Sequence, residues 1–237
     1  YLNRFSYNRI VTLIYKLRIK MKNKILTGLA SLMLMFSIST LKADVNVGAS
    51  LLIGESDISG TETEITDIPG VADNNSKSIK ERFYGASVFV ELEADNGFAL
   101  GIDYVPIDLD VGDGKRTDTD GGHASGEADT GTRSASASLE DLITLYANIP
   151  LGGNGFYALA GYHSVEVTTE ESLPTSSYGD ADINGYQIGL GRKGDNFKIE
   201  AFYSDFDDIK LTATGGSASH TIAADADAMG LKFSIFY

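Results

Sequence analysis

The sequence contains no cysteine and no tryptophan, and only four prolines in 237 residues. Without cysteine there is no disulfide, no thiol nucleophile, no thiolate metal site and no lipoprotein-type anchor. Histidine is limited to His123, His163 and His220, which leaves little scope for imidazole catalysis. Positive charge is scarce after residue 43. Residues 1–43 hold eight of the 19 basic residues and none of the 33 acidic ones, so residues 44–237 carry a net charge of −22. Such a chain repels nucleic acid, and no basic patch offsets that, so no nucleic-acid partner is expected. No apolar run reaches the roughly 20 residues that a membrane helix needs.

The longest apolar run, Ile25 to Ile38, is 14 residues. It follows the basic start Met21-Lys22-Asn23-Lys24 and precedes Ser39-Thr40-Leu41-Lys42-Ala43. This is the layout of a secretory signal peptide over 21–43, with cleavage expected after Ala43. An uncleaved anchor is the alternative. Residues 1–20 begin at Tyr1 and are basic throughout, and they read as an over-extended reading frame with the start at Met21.

From Asp44 onward the dominant signal is alternation with period two, the signature of two-faced strands. The last nine residues show it most clearly. Met229, Leu231, Phe233, Ile235 and Tyr237 share one apolar face, while Gly230, Lys232 and Ser234 share the other with Phe236. Further strands are predicted over 44–55, 81–94, 98–109, 138–149, 156–167, 182–192 and 197–206. Phe156–Val167 is ambiguous. If Ala160, Ser164 and Glu166 point inward, then Tyr157, Leu159, Val165, Val167 and His163 point out, and a bulge would be needed to reconcile them. Asp95-Asn96-Gly97, 150–155 and 193–196 read as short turns. Residues 56–80, 108–137, 168–181 and 207–220 are polar and read as long loops.

Eight strands joined alternately by long loops and short turns, with about five apolar positions on one face of each, fit an all-β, eight-stranded antiparallel up-and-down transmembrane barrel with a polar interior. A soluble barrel would place the apolar face inside. Closure removes strand edges that lipid cannot satisfy. Tyr84, Phe98, Tyr104, Tyr157, Phe197, Phe233 and Tyr237 fall near strand ends, as an aromatic girdle requires.

On this architecture and on the terminal strand, the mature chain, about 44–237, resembles the small eight-stranded outer-membrane family of OmpA transmembrane domains, OmpX and Opa-type opacity proteins. The resemblance implies a Gram-negative outer-membrane location, lipid as the surrounding partner, and insertion by the barrel-assembly machinery with Met229, Leu231, Phe233, Ile235 and Tyr237 as the assembly signal. A monomer is expected. Unlike in OmpA itself, no peptidoglycan-binding domain is expected after the barrel, and a cell-wall tether is accordingly not the leading expectation.

Interior charges are the first candidate site: Glu91, Glu93, Asp103, Glu166, Arg192, Lys198, Glu200 and Lys232. An eight-stranded lumen is only wide enough to be packed with side chains, so these read as a structural network of paired charges rather than an ion path. Asp108-Leu109-Asp110-Val111-Gly112-Asp113-Gly114 suggests Ca²⁺ but fails the EF-hand spacing, because Gly112 stands where the third ligand belongs. Diffuse binding of divalent ions by acidic loops is the remaining reading. No histidine adjoins a nucleophile motif, and Gly152-Gly153-Asn154-Gly155 lacks the Lys-Ser/Thr of a phosphate loop. No metal, cofactor or catalytic residue is expected. The leading expectation is a non-enzymatic barrel that stabilises the envelope or presents acidic loops to a surface ligand. The alternatives are a narrow channel for small solutes or hydrophobic compounds, and a lipid-modifying enzyme.

Overall fold

A computed structural model describes residues 43–65, 72–118, 131–171, 178–213 and 220–237. The signal-peptide and reading-frame assignments, and His123, lie outside the described residues. Residues Asp44–Tyr237 form one compact unit.

The described chain is all strand and turn. The strands are β1 (Ala43–Ile65), β2 (Ala72–Ala94), β3 (Ala99–Val105), β4 (Leu109–Asp118), β5 (Gly131–Pro150), β6 (Phe156–Glu171), β7 (Ala181–Lys193), β8 (Phe197–Phe206), β9 (Ile209–Thr212) and β10 (His220–Phe236). The sheet runs in the order β1-β2-β3-β5-β6-β7-β8-β10, and β1 pairs antiparallel with β10 from Gly48↔Phe236 to Glu64↔His220 to close the ring. β4 continues β3 along β5, and β9 continues β8 along β10. Ten segments therefore make eight staves. Pro106, which has no N–H to donate, stands in the β3–β4 interruption.

Tight turns close one end. At 95–98, Gly97 has φ 81° and the Phe98 amide donates to Asn96 Oδ1 at 3.0 Å. At 151–155, Gly155 has φ 75°, and a Cβ there would lie 2.3 Å from the Lys193 carbonyl oxygen, so only glycine fits.

Apolar side chains form an outward belt above these turns. Leu51↔Phe233, Ile53↔Leu231, Ile102↔Leu145 and Ile188↔Tyr203 are cross-strand pairs on that outer face. Ile188 and Leu190 remain 63% and 62% exposed. A soluble protein does not leave such a continuous girdle in water, whereas hydrocarbon solvates it at no cost. Tyr162 and Tyr186 meet edge-on, with centroids 5.4 Å apart.

Four stretches expected as loops are largely strand. Residues 56–65, 72–80, 109–118, 131–137, 168–171, 209–212 and 220 extend the staves beyond the belt. Their apolar residues switch faces. On β1 the belt residues Val47, Leu51 and Ile53 point out, whereas Ile58 points in; on β6 Phe156 and Tyr162 point out, whereas Val165 and Val167 point in. On β5 a bulge between Glu140 and Ile143, with Asp141 at φ 53°, makes the same switch geometrically. Outside the bilayer the outer face meets water and the lumen becomes the apolar side. The polar interior therefore occupies the half nearest the short turns, and the other half is lined with apolar side chains.

Candidate functional site: an apolar cavity above a charged floor

The lower lumen is filled by a polar and charged plug. Glu91 pairs with Lys198, and its Oε2 also accepts from Tyr146 Oη at 3.0 Å and Asn148 Nδ2 at 2.8 Å. Asn46 Nδ2 lies 3.4 Å from Glu91 Oε1 and 3.0 Å from Glu93 Oε2, and Lys193 pairs with Glu93. Lys232 Nζ lies 3.1 Å from Glu200 and 3.5 Å from Asp103, and Ser87 donates to Asp103 at 3.1 Å. Lys198 Nζ also sits 4.8 Å from the Phe89 ring centroid, and Lys232 Nζ 5.5 Å from that of Tyr146. The Tyr146 ring fits because its cross-strand partner on the neighbouring stave, Gly101, has no side chain. A Cβ on Gly101 would lie 2.3 Å from Tyr146 Cζ.

Charges buried this deeply are held only when each has its partner and its hydrogen bonds. Period-two strands bring these residues from β1, β2, β3, β5, β7, β8 and β10 into one cross-section. Of the eight interior charges expected from sequence, the structure brings six together here: Glu91, Glu93, Asp103, Lys198, Glu200 and Lys232.

Two do not join them. Glu166 lies between Val165 and Val167, which fill the lumen, so it points outward, opposite Glu140 and Asp182. Arg192 is exposed on the outer face with its guanidinium 5.6 Å from the Phe156 centroid, where a long stem lets the charge reach the interface. Lys193, on the opposite parity, is the cation that enters the plug. The facing of β6 is likewise the reverse of the sequence reading, with no bulge in β6 itself. Tyr157, Leu159 and His163 are inside, so Tyr157 is no part of the girdle and His163 does not face lipid. The terminal set Met229, Leu231, Phe233, Ile235 and Tyr237 all point outward into the belt.

Above the plug lies a cavity of about 520 Å³, within the roughly 300–1,000 Å³ typical of small-molecule sites. Its wall is apolar: Phe83, Val105, Leu142, Val167, Ile183 and Phe202 are among the lining residues, with Ile58, Ile209 and Ile222 higher up. Its floor is polar. Thr144, His163, Gln187 and Ser204 line it, together with Asp103 and Lys232 at the top of the plug. His163 Nδ1 is 2.8 Å from Thr144 Oγ1, and Nε2 is 3.0 Å from Ser204 Oγ. The imidazole stacks on Phe206, centroids 5.4 Å apart. At the outer end Tyr178 is buried against the cavity, and its hydroxyl donates to Glu62 Oε1 at 2.6 Å.

Among the described residues neighbouring staves lack a ladder at two places in the wall, between β7 and β9 above Gly185↔Phe206 and between β2 and β4. β2 pairs with β3 only from Val88↔Tyr104 to Glu93↔Ala99, and among the described residues no ladder joins β2 to β4 above that point. Ser56 Oγ lies 2.9 Å from the Val111 carbonyl oxygen and 3.3 Å from that of Glu81, bridging the two sides. Leu109 packs against Gly85, where a Cβ would come within 2.8 Å of Leu109 Cδ2.

The Asp-rich run at 108–114 lies largely in β4, with Leu109 and Val111 turned into the lumen and Asp110 and Asp113 exposed. Among the described residues no three His, Asp or Glu side chains converge to hold a metal ion. His220 opens β10 rather than lying in a loop.

No protein-family model and no curated protein matches the sequence. Among solved structures the chain is similar to outer membrane protein AlkL, determined by solid-state NMR in DMPC bilayers, at 13% identity and TM-score 0.46, over 80% of this chain and 90% of that one. It is also similar to Neisserial surface protein A, at 8% identity and TM-score 0.34, over 74% and 95%. A third is Ail, the attachment invasion locus protein of Yersinia pestis, in complex with the heparin analogue sucrose octasulfate, at 12% identity and TM-score 0.34, over 79% and 99%. These likenesses concern the fold.

Proposed function

We propose that this chain is a non-enzymatic barrel of the bacterial outer membrane that takes apolar small molecules into the outer half of its lumen. The observation that carries this reading is the apolar cavity of about 520 Å³ standing on a charged floor. Apolar molecules gain roughly 25 cal/mol for each Å² removed from water, and the cavity wall offers that contact from all sides. Water and ions gain nothing there. The lining stops at Asp103 and Lys232, so a straight aqueous path meets the packed plug. The β2–β4 seam, which starts at the outer rim of the belt, offers a sideways route between cavity and membrane that needs no passage through the charges.

The test pairs two measurements on the barrel reconstituted in lipid. Decane should bind saturably at about one per barrel, and planar bilayers should show no steady conductance. Absence of saturable binding, or salt-proportional conductance steps, contradicts the reading.

A second reading, presentation of external hairpins to a surface ligand, is favoured by the length of the staves. β1 and β2 run 23 residues each, against the roughly 9–11 that cross a bilayer. Placement by the assembly machinery through the terminal strand, a monomeric state, and kinship with OmpA, OmpX and Opa-type barrels belong to the same proposal. They are supported by the outward set Met229 to Tyr237 and by ring closure within one chain.

A further inference from the structure

We infer that the cavity's ligand is a chain molecule carrying one neutral oxygen, an alcohol or a carbonyl, and that Thr144, His163, Gln187 and Ser204 receive this oxygen on the cavity floor. The inference rests on the reading of the upper lumen as an apolar binding site and names the ligand class for it.

A purely apolar ligand would need no polar floor. Here four hydrogen-bonding side chains from β5, β6, β7 and β8 meet at one level, directly beneath an apolar wall. Counting protons shows what they lack. Gln187 Nε2 donates to Ser204 Oγ at 3.3 Å. If the imidazole proton is on Nδ1, it goes to Thr144 Oγ1, Ser204 donates to Nε2, and the Thr144 hydroxyl proton is left over. If the proton is on Nε2, it goes to Ser204, Thr144 donates to Nδ1, and the Ser204 hydroxyl proton is left over. The four groups hold five such protons for three mutual contacts, so either tautomer leaves donors over within the set: a hydroxyl with the amide as placed, or both Gln187 amide protons if the amide is turned so that its oxygen accepts from Ser204. A donor in so apolar a setting costs about 1–3 kcal/mol until an acceptor reaches it. A ligand oxygen would supply that acceptor, and the Gln187 side-chain oxygen can accept from a ligand hydroxyl.

The charge below argues for a neutral oxygen. The plug holds four carboxylates, Glu91, Glu93, Asp103 and Glu200, against three ammonium groups, Lys193, Lys198 and Lys232. Lys232, which reaches the cavity, is already committed to Glu200 and Asp103. A ligand carboxylate on the floor would be desolvated above an excess of negative charge, and among the described residues the one other lysine of the lining, Lys77, stands exposed on β2 above Phe83, away from the floor. A long shape follows from the lining. Thr169 and His163 on β6 both line the cavity and are six residues apart, about 20 Å along a strand.

The experiment uses the protein in lipid nanodiscs with ¹⁵N-labelled histidine, titrated with 1-decanol, decane and decanoate against empty nanodiscs. The expected result is that 1-decanol binds at least fivefold more tightly than decane or decanoate and shifts the ring nitrogens of one histidine, whereas decane does not. Thr144→Val combined with Ser204→Ala should abolish the preference for decanol over decane. Equal binding of decanol and decane, a preference for decanoate, or a decanol preference that survives the double variant overturns the inference while leaving the apolar site standing. If none of the three binds above empty nanodiscs, the site reading itself fails. Should the double variant not fold, the imidazole shifts of the wild-type protein decide.

Discussion

Glu91 on β2 and Lys198 on β8 meet inside the barrel as a closed ion pair, 1% and 2% exposed, from staves three places apart around the ring. Their contact ties the first half of the barrel to the last. Removing one partner strands the other charge in a dry interior, whereas removing both does not. Glu91→Gln or Lys198→Met alone should therefore destabilise the barrel by about 3–5 kcal/mol, and the two together by clearly less. Urea unfolding in lipid vesicles, followed by a folded-barrel gel shift, checks the order.

The belt and the lumen should respond oppositely to charge. Leu190→Lys places an ammonium in hydrocarbon and should cost about 2–4 kcal/mol. Glu166→Lys, four residues past the belt residue Tyr162 on an outer face that meets water, should cost well under 1 kcal/mol. The same unfolding assay distinguishes them. A large loss at residue 166 would return Glu166 to the interior.

Tyr178 spans the outer end of the cavity by its hydrogen bond to Glu62. A bond to a carboxylate contributes about 1.5–3 kcal/mol. Tyr178→Phe should accordingly speed ligand association and dissociation by about tenfold each, at 1.4 kcal/mol per decade, with little change in Kd. Stopped-flow exchange of a bound apolar fluorophore measures both rates.

Glu140 lies on the outer surface above the belt, and burial raises its carboxyl above the usual range, opposed by a hydrogen bond from Thr168 and assisted by Asp108, Glu166 and Asp180. A carboxyl raised in the fold contributes stability that is full below its unfolded value of 4.5 and is lost as pH rises through the folded value. The wild-type barrel should thus lose a stability increment on going from pH 4 upward through that range, and Glu140→Gln should lose less. Unfolding midpoints at stepped pH compare the two.

The belt, the turns and most of the plug were legible in the sequence, because period two with apolar residues on one parity is unambiguous where the outside is lipid. Lys198, Glu200 and Lys232 announce themselves as charges on the wet parity of otherwise apolar strands. The cavity was hidden by the change of phase. Ile58, Ile79, Leu109, Val111, Leu139, Ile209, Leu211 and Ile222 stand singly in polar stretches, and read against a lipid-facing rule they look like loop residues. They become a pattern only when the outside is water and the parity is inverted. β6 failed for the same reason: Val165 and Val167 belong to the inverted region, and assigning them to lipid dragged Tyr157 and His163 with them. Arg192 and Lys193 are adjacent, and nothing in the sequence says which enters the lumen.

The most direct test of an apolar cavity above a sealed floor exploits the absence of tryptophan from the chain. Phe202→Trp places a single indole on the cavity wall, and Phe233→Trp places one on the belt. Both proteins, in lipid nanodiscs, are titrated with 1-bromodecane, whose bromine quenches indole fluorescence. The account predicts saturable quenching near one equivalent for Phe202→Trp, and only gradual quenching that follows bromide dissolved in the bilayer for Phe233→Trp. Parallel, unsaturable quenching of the two would mean that the upper lumen holds no apolar ligand.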